Sequence, residues 1–189
     1  MPPEGDWRRI CMIRDDLESI PAFELPAGFA FRWYRPGDEA DWVAIHQEAD
    51  AGHERTERKF VAEFGTGPAR LAERMCFLCT DDGEAIGTAT AWPEEQGRGA
   101  HFGRLHYVAI RTAFQGRGLA RPLLATVLRR MRQLGHTASC LGTQVARWRA
   151  VNLYLKFGYR PEIGDDADRD AWRAVRERLP ASPLADMEL

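Results

Sequence analysis

From Gln96 to Pro161 the chain carries twelve arginines or lysines and no aspartate or glutamate. Inside that segment lies "LHYVAIRTAFQGRGLARPLL", Leu105 to Leu124. It reads as an apolar strand, a glycine-punctuated turn and an amphipathic helix in direct succession. That succession calls for a layered α/β fold, because a buried strand feeding a helix must bury one helical stripe against its sheet. It also marks an anion site. Free backbone N–H groups and the positive end of the helix dipole meet at such a turn.

The rest of the charge lies on either side. Residues 1–95 carry ten basic and twenty acidic side chains, and residues 162–189 carry four and eight. Acidic flanks pairing with a basic centre account for part of this pattern. A basic face for a polyanion is the sharper reading. Nucleic acid is the weaker candidate, since no zinc-finger or RNP signature is present and the net charge is −2. A phosphorylated small molecule suits a single glycine turn better.

No apolar run reaches the length of a membrane span, and "MPPEGDWRRICMIRDD" lacks the apolar centre of a signal peptide. A cytoplasmic protein without membrane partners is expected. Cys76 and Cys79 form a C-x-x-C pair within "MCFLCT". On a strand their side chains leave opposite faces, so they and Cys11 and Cys140 are read as reduced thiols, with no metal site.

Strands are predicted for "FAFRWY" (29–34), "MCFLCT", "AIGTATAW", "RLHYVAI" (104–110), "TASCLGT" and "YRPEI". The turn "DDGE" joins the second and third into a hairpin. A first helix follows Asp38 as N-cap, with Trp42, Ile45 and Ala49 inward, and "TERKFVAEFG" makes a second. Leu119, Leu123, Leu124, Val127, Leu128, Met131 and Leu134 mark a third, which Gly135 ends. "RWRAVNLYLKFG" gives a fourth, and Trp172, Val175 and Leu179 are spaced to dock a small C-terminal helix. The expected fold class is an α/β layer fold with mixed strand directions.

A P-loop needs Gly-Lys-Ser/Thr, which the turn lacks. A dinucleotide fingerprint needs a third glycine where Arg121 stands, and an acid about twenty residues later. What remains is Gln115-x-x-Gly118-x-Ala120 between strand and helix. This resembles the acetyl-CoA loop of the GNAT superfamily of N-acetyltransferases, Arg/Gln-x-x-Gly-x-Gly/Ala. "AVNLYLKFGYRP" is similar to the family's passage from last helix to strand. The resemblance covers about Phe29 to Pro161 and divides the chain into an N-terminal extension (1–28) packing on the domain, an acetyltransferase domain (29–161) and a helical tail (162–189).

The resemblance implies an α/β fold with a mixed, mostly antiparallel central sheet flanked by helices, and acetyl-CoA as cosubstrate. Backbone groups of Val108, Ala109 and Ile110 would hold the pantetheine arm, and Gln115, Gly116, Arg117, Gly118, Leu119, Ala120 and Arg121 the pyrophosphate. It also implies Tyr154 as the acid that protonates the leaving thiolate and the Val108 N–H as the oxyanion donor. "LHYVAI" further resembles the matching strand of the serotonin N-acetyltransferases, which makes His106 the base candidate, sharing a strand face with Val108 and Ile110. Arg147 stands where many members have asparagine, and is expected to meet a phosphate or an acidic substrate instead.

The acids of "HQEADAGHERTERKF" are read either as a lure for a cationic amine or as a solvated face. Trp33, Tyr34 and Trp92 are read as pocket wall or core. The function this implies is direct acetyl transfer in a ternary complex to the primary amine of a small molecule. Protein or peptide acceptors, a non-catalytic acyl-CoA-binding module and a homodimer are left open.

Overall fold

A computed structural model of the chain describes residues 5–50, 53–95 and 97–187. Its strands are β1 (Arg9–Arg14), β2 (Phe29–Trp33), β3 (Met75–Thr80), β4 (Ala85–Pro93), β5 (Phe102–Ile110), β6 (Ala138–Gln144) and β7 (Arg160–Glu162). Its helices are α1 (Glu39–Ala49), α2 (Glu57–Phe64), α3 (Pro68–Arg74), α4 (Ala120–Gln133), α5 (Trp148–Lys156) and α6 (Asp166–Arg178). The seven strands form one sheet in the order β2-β3-β4-β5-β6-β1-β7. Only β5 and β6 pair in parallel; the other neighbours are antiparallel. The mixed, mostly antiparallel α/β architecture is as the sequence implied. No described helix is long and apolar enough to cross a membrane.

The period-2 alternation of β3 builds two cores at once. Cys76 and Leu78 join one cluster with Leu123, Leu124, Val127 and Leu128 of α4. Met75, Phe77 and Cys79 join the other with Trp42, Phe60, Phe64 and Leu71 of α1–α3. The two cysteines therefore sit on opposite faces as free thiols. The α1–α3 side is a lattice of rings: Trp42 lies 5.3 Å from Phe60, and Phe64 lies 5.2 Å from Trp92. Tyr34 and Trp92 are part of that core, and Trp33 lies under the Arg130 guanidinium at 4.9 Å, so none of the three forms pocket wall.

Two elements have no counterpart in the expected order. One is α3, which begins at a proline directly after Gly67, where a missing N–H costs nothing. The other is β1, which lies within the stretch 1–28 assigned to an extension. It is an internal strand, paired with β6 over Arg9–Arg14 and with β7 through Cys11–Ile13. Arg14 is buried at its end, donating to the carbonyls of Asp16, Ser19 and Phe157. Asp38 precedes α1 as expected, but its carboxylate makes no cap. It accepts instead from Arg35 N–H at 2.7 Å and Arg32 Nη1 at 2.6 Å.

Because β1 is internal, its side chains carry core energy. Met12 is fully buried. Met12→Ala is expected to lower stability by about 2–5 kcal/mol, read from the urea midpoint at unchanged slope. A loss below about 0.5 kcal/mol, as for a surface strand, would contradict the internal placement.

Candidate active site

The site begins where two strands part. β5 pairs with β6 only through Phe102–Arg104 against Ala138–Cys140. Beyond Arg104, β6 continues against β1 while β5 continues against β4. One edge of Leu105–Ile110 is thereby left without a strand partner, and an extended ligand arm can add there as a strand would.

Opposite that opening, β5 carries a bulge. Thr88 pairs with Ala109 and Thr90 with His106, so Tyr107 and Val108 together face Ala89. Tyr107 takes φ 49°, the one positive value at a non-glycine among the described residues. Such a conformation costs about 1–3 kcal/mol and persists only where packing enforces it. Here Trp42, His46, Phe64 and His106 surround the ring at 5.0, 5.2, 5.6 and 4.4 Å. The bulge also corrects one expectation. His106 does not share a face with Val108 and Ile110. It packs 5.5 Å from Phe64 on the α2 side, whereas Val108 and Ile110 belong to the α4 side.

The glycine turn follows β5. The Gln115 amide donates back to the Ile110 carbonyl at 2.8 Å and so braces the turn from inside. Gly116 and Gly118 have φ 76° and 80°. A methyl group added at Gly118 would meet no protein atom within 4 Å, so the space above it is open for a ligand. α4 starts at Ala120 with no side-chain cap and no acid in its first turn, leaving its N–H groups facing the turn. The Leu119 side chain is buried, so only its backbone is offered to a ligand. Arg117 folds back onto the Ala113 carbonyl at 3.0 Å, Arg121 lies 5.9 Å from the Phe23 ring, and Arg149 lies 4.4 Å from the Trp148 ring. No carboxylate pairs with these three arginines among the described residues. By contrast Arg98, Arg111, Arg147 and Arg160 all meet acids from the flanks. Pairing of the basic centre with acidic flanks thus holds for these four, and Arg117, Arg121 and Arg149 stay outside it.

Two cavities meet here. One, of about 570 Å³, runs from Val108–Ile110 to Gly116–Arg121. The other, of about 580 Å³, opens between α2, β5 and β6 and includes Arg55, Lys59 and His106. His46, Val108, Arg147, Ala150 and Tyr154 border both and form a waist. Val108, Ala109, Ile110, Gln115, Gly116, Gly118, Leu119, Ala120 and Arg121 all line the first cavity, and Arg117 flanks it.

Burial pushes the Tyr154 phenol up to about 12, with the Arg147 guanidinium pulling the other way, so it stays protonated near neutrality. His106 Nε2 lies 3.4 Å from Glu63 Oε2 and 3.4 Å from Arg104 Nη2. Burial lowers the His106 pKa, and the Glu63 carboxylate counters part of that fall. Glu63 itself is held at about 2, chiefly by its hydrogen bond to His106 and with help from Lys59. A neutral imidazole beside a fixed carboxylate is a competent proton acceptor at neutral pH.

Glu63 escaped sequence reasoning, because it sat inside a helix with ordinary spacing. His46 and Asp50 belong to the stretch "HQEADAGHERTERKF" weighed above, but their partners could not be read from it. His46 is 4% exposed and lowered to about 3, first by burial and then by Arg55. Asp50 accepts from Arg147 Nη2 at 2.6 Å, so Arg147 does not extend freely toward a phosphate. The acids of α1 are likewise engaged: Glu48 accepts from Arg111 Nε at 2.7 Å and from the Thr112 N–H at 2.8 Å. Among the described residues no cluster of three metal-ligating side chains occurs.

The family model for the acetyltransferase (GNAT) family matches residues 28–159. The chain belongs to the GNAT acetyltransferase family. Among curated relatives, a mycothiol acetyltransferase of Streptomyces bingchenggensis is 32% identical, over 74% of this chain and 46% of its own length. One from Nocardia farcinica is 30% identical, over 85% and 55%. The chain thus spans about half the length of the curated relatives it matches. A GCN5-related N-acetyltransferase from Sphaerobacter thermophilus superposes with TM-score 0.68 at 25% identity, over 84% of this chain and 50% of that one. The ribosomal-protein-S18-alanine N-acetyltransferase of Escherichia coli shares the fold, with TM-score 0.57 at 21% identity over 69% and 76%.

The GNAT loop of this chain can be tested at Gly118. Gly118→Val places a β-branched side chain at φ 80° and fills the open space above the turn. CoA affinity is expected to fall at least about tenfold, or roughly 1.4 kcal/mol, in a protein that still folds. Unchanged affinity by calorimetry would place the phosphates elsewhere.

Proposed function

We propose that the chain is an acetyl-CoA-dependent N-acetyltransferase that moves an acetyl group to the primary amine of a small molecule by direct transfer. The observation that carries this reading is the waist. It joins a cavity that ends on the glycine turn to a second cavity; Val108 and Tyr154 border both, and His106 lines the second. When bound, acetyl-CoA supplies the activated acyl group. The unpaired edge of β5 and the N–H groups at Gly118 to Ala120 would hold its arm and phosphates.

The chain's own groups divide the remaining work. The Val108 N–H would stabilise the oxygen that gains negative charge. Neutral His106, oriented by Glu63, would take the proton from the acceptor amine, and the Tyr154 hydroxyl would return one to the departing sulfur. Free thiols at Cys11, Cys76, Cys79 and Cys140 suit a reducing compartment, and the proposal includes a cytoplasmic location.

Melting with CoA and with NAD tests the cofactor. CoA at about 100 to 1,000 times its dissociation constant should stabilise the fold by roughly 2.7–4 kcal/mol, and NAD should not. Protection by NAD alone would sink the proposal. Tyr154→Phe should lower kcat by on the order of 10²-fold with CoA binding nearly kept. Full activity in that variant would remove the tyrosine from the mechanism.

The pH profile reads the base. A base must be neutral to act, so kcat/KM should fall as pH drops through the His106 pKa, below the ordinary 6.5. His106→Gln should erase that inflection. Glu63→Gln removes the carboxylate that holds the value up, so the limb should move to lower pH. An unmoved limb in both variants would return His106 to a structural role.

A further inference from the structure

Asp50, at the end of α1, holds two guanidiniums with one oxygen. Its Oδ2 accepts from Arg55 Nη2 at 2.7 Å and from Arg147 Nη2 at 2.6 Å, while Oδ1 meets His53 Nδ1 at 3.1 Å. Two permanent cations share one carboxylate, so the trio keeps a net charge of about +1. Each guanidinium carries five N–H donors in a rigid fork and gives Asp50 only one nitrogen. Asp50 thus aims the forks without saturating them.

The unsatisfied donors lie in the same place. The Arg55 side chain is 11% exposed, and its Nε is buried without a hydrogen-bond partner among the described residues. His46 Nε2 is likewise buried and unpartnered. The Tyr107 ring links the two: Arg55 stands 5.4 Å above it and His46 touches it at 5.2 Å. A buried polar atom with no partner is disfavoured unless a ligand completes it. Arg55 borders the acceptor cavity, and His46 and Arg147 border both cavities.

The anion this site calls for does not come from the cosubstrate. Phosphate charge belongs at the other end of the cleft, where Arg121 and Arg149 line the wall beyond Gly118. The arm that would reach the waist carries no phosphate. A second amine cation on the acceptor would face two guanidiniums held by one carboxylate, which disfavours polyamines. A carboxylate would complete the forks bidentately. Arg147 borders the junction itself and Arg55 shares its Asp50 carboxylate, so a carboxylate held by both lies close to the reacting nitrogen.

Resting on the acetyltransferase reading, we propose that the acceptor is an α-amino acid whose α-carboxylate is received by Arg55 and Arg147 beside the amine that is acetylated. Asp50 is the positioning residue for both forks, and His46 supplies a further polar contact at the waist.

The test compares each proteinogenic α-amino acid with its α-amide, following CoA release from acetyl-CoA with the purified full chain. For the amino acids turned over, kcat/KM should exceed that of the amide at least about tenfold, as expected for a charge-assisted contact. Arg55→Met should bring that ratio toward one, mainly by raising KM for the acid. Arg147→Gln, at a more exposed side chain, should act in the same direction and covers the case in which Arg55→Met does not fold. The melting shift with CoA reports whether each variant keeps its fold and cofactor cleft.

Amides turned over as well as acids, or a preference that survives both substitutions, would overturn the proposal. Acetylation of other amines but of no α-amino acid would also overturn it, and would leave acetyl transfer standing. CoA that fails to protect the wild-type fold would overturn the acetyltransferase reading and this one with it.

Discussion

Everything at the site depends on the parting of β5 from β6 after Arg104. Two parallel strands inside a sheet ordinarily share a full ladder, and an unshared backbone edge is costly unless something pairs with it. Here the loss is local and guarded. The bulge at Tyr107 and Val108 turns β5 away, and the aromatic lattice of α1 and α2 clamps Tyr107 in its strained conformation. The separation therefore results from tertiary packing on one face, and the opening it leaves on the other is the cleft.

A strand that leaves one neighbour needs another. β1 fills that need, pairing with β6 along its whole length and bringing β7 into the sheet beyond it. The residues before β1 extend this support: the carbonyls of Asp6 and Arg8 accept from the N–H groups of Ala146 and Val145. That short segment carries Arg147. The Trp7 ring packs 5.5 Å from His53, which also contacts Asp50. The N-terminal stretch is thus part of the frame that sets the waist, although it lies far from the glycine turn in the chain.

Charge is arranged in two tiers. Acids from the flanks neutralise Arg98, Arg111 and Arg160 at the periphery, where exposed pairs contribute little stability but limit self-repulsion. At the turn, Arg121 and Arg149 meet rings and not carboxylates, so their charge stays available to an anion. At the waist, Asp50 shares itself between Arg55 and Arg147 and leaves a partial excess. The acid-free segment thus supplies Arg121 and Arg149 at the turn and Arg147 at the waist, where Arg55 joins from the acidic flank.

The elements with strong local signals were legible from the sequence. The strand, glycine turn and helix from Leu105 to Gln133 announced themselves by apolar period and by glycine, and so did the helix ending at Gly158. Those signals are carried by neighbouring residues, which is why the GNAT resemblance and the glycine turn are visible in the amino-acid order alone. The bulge could not be read, because nothing in "LHYVAI" distinguishes a regular strand from one with an extra residue. That single residue moved His106 to the α2 face and gave it Glu63 as a neighbour. β1 escaped because "RICMIR" alternates weakly and finds its partners more than a hundred residues away. The Asp50, Arg55 and Arg147 trio joins residues up to 97 positions apart. Sequence by itself determined most of the strands, turns and helices, all but β1 and α3, since period and backbone freedom are properties of neighbouring residues. Tertiary structure alone decided which charges meet and which backbone edge stays open, since both depend on contacts between segments that the chain keeps far apart.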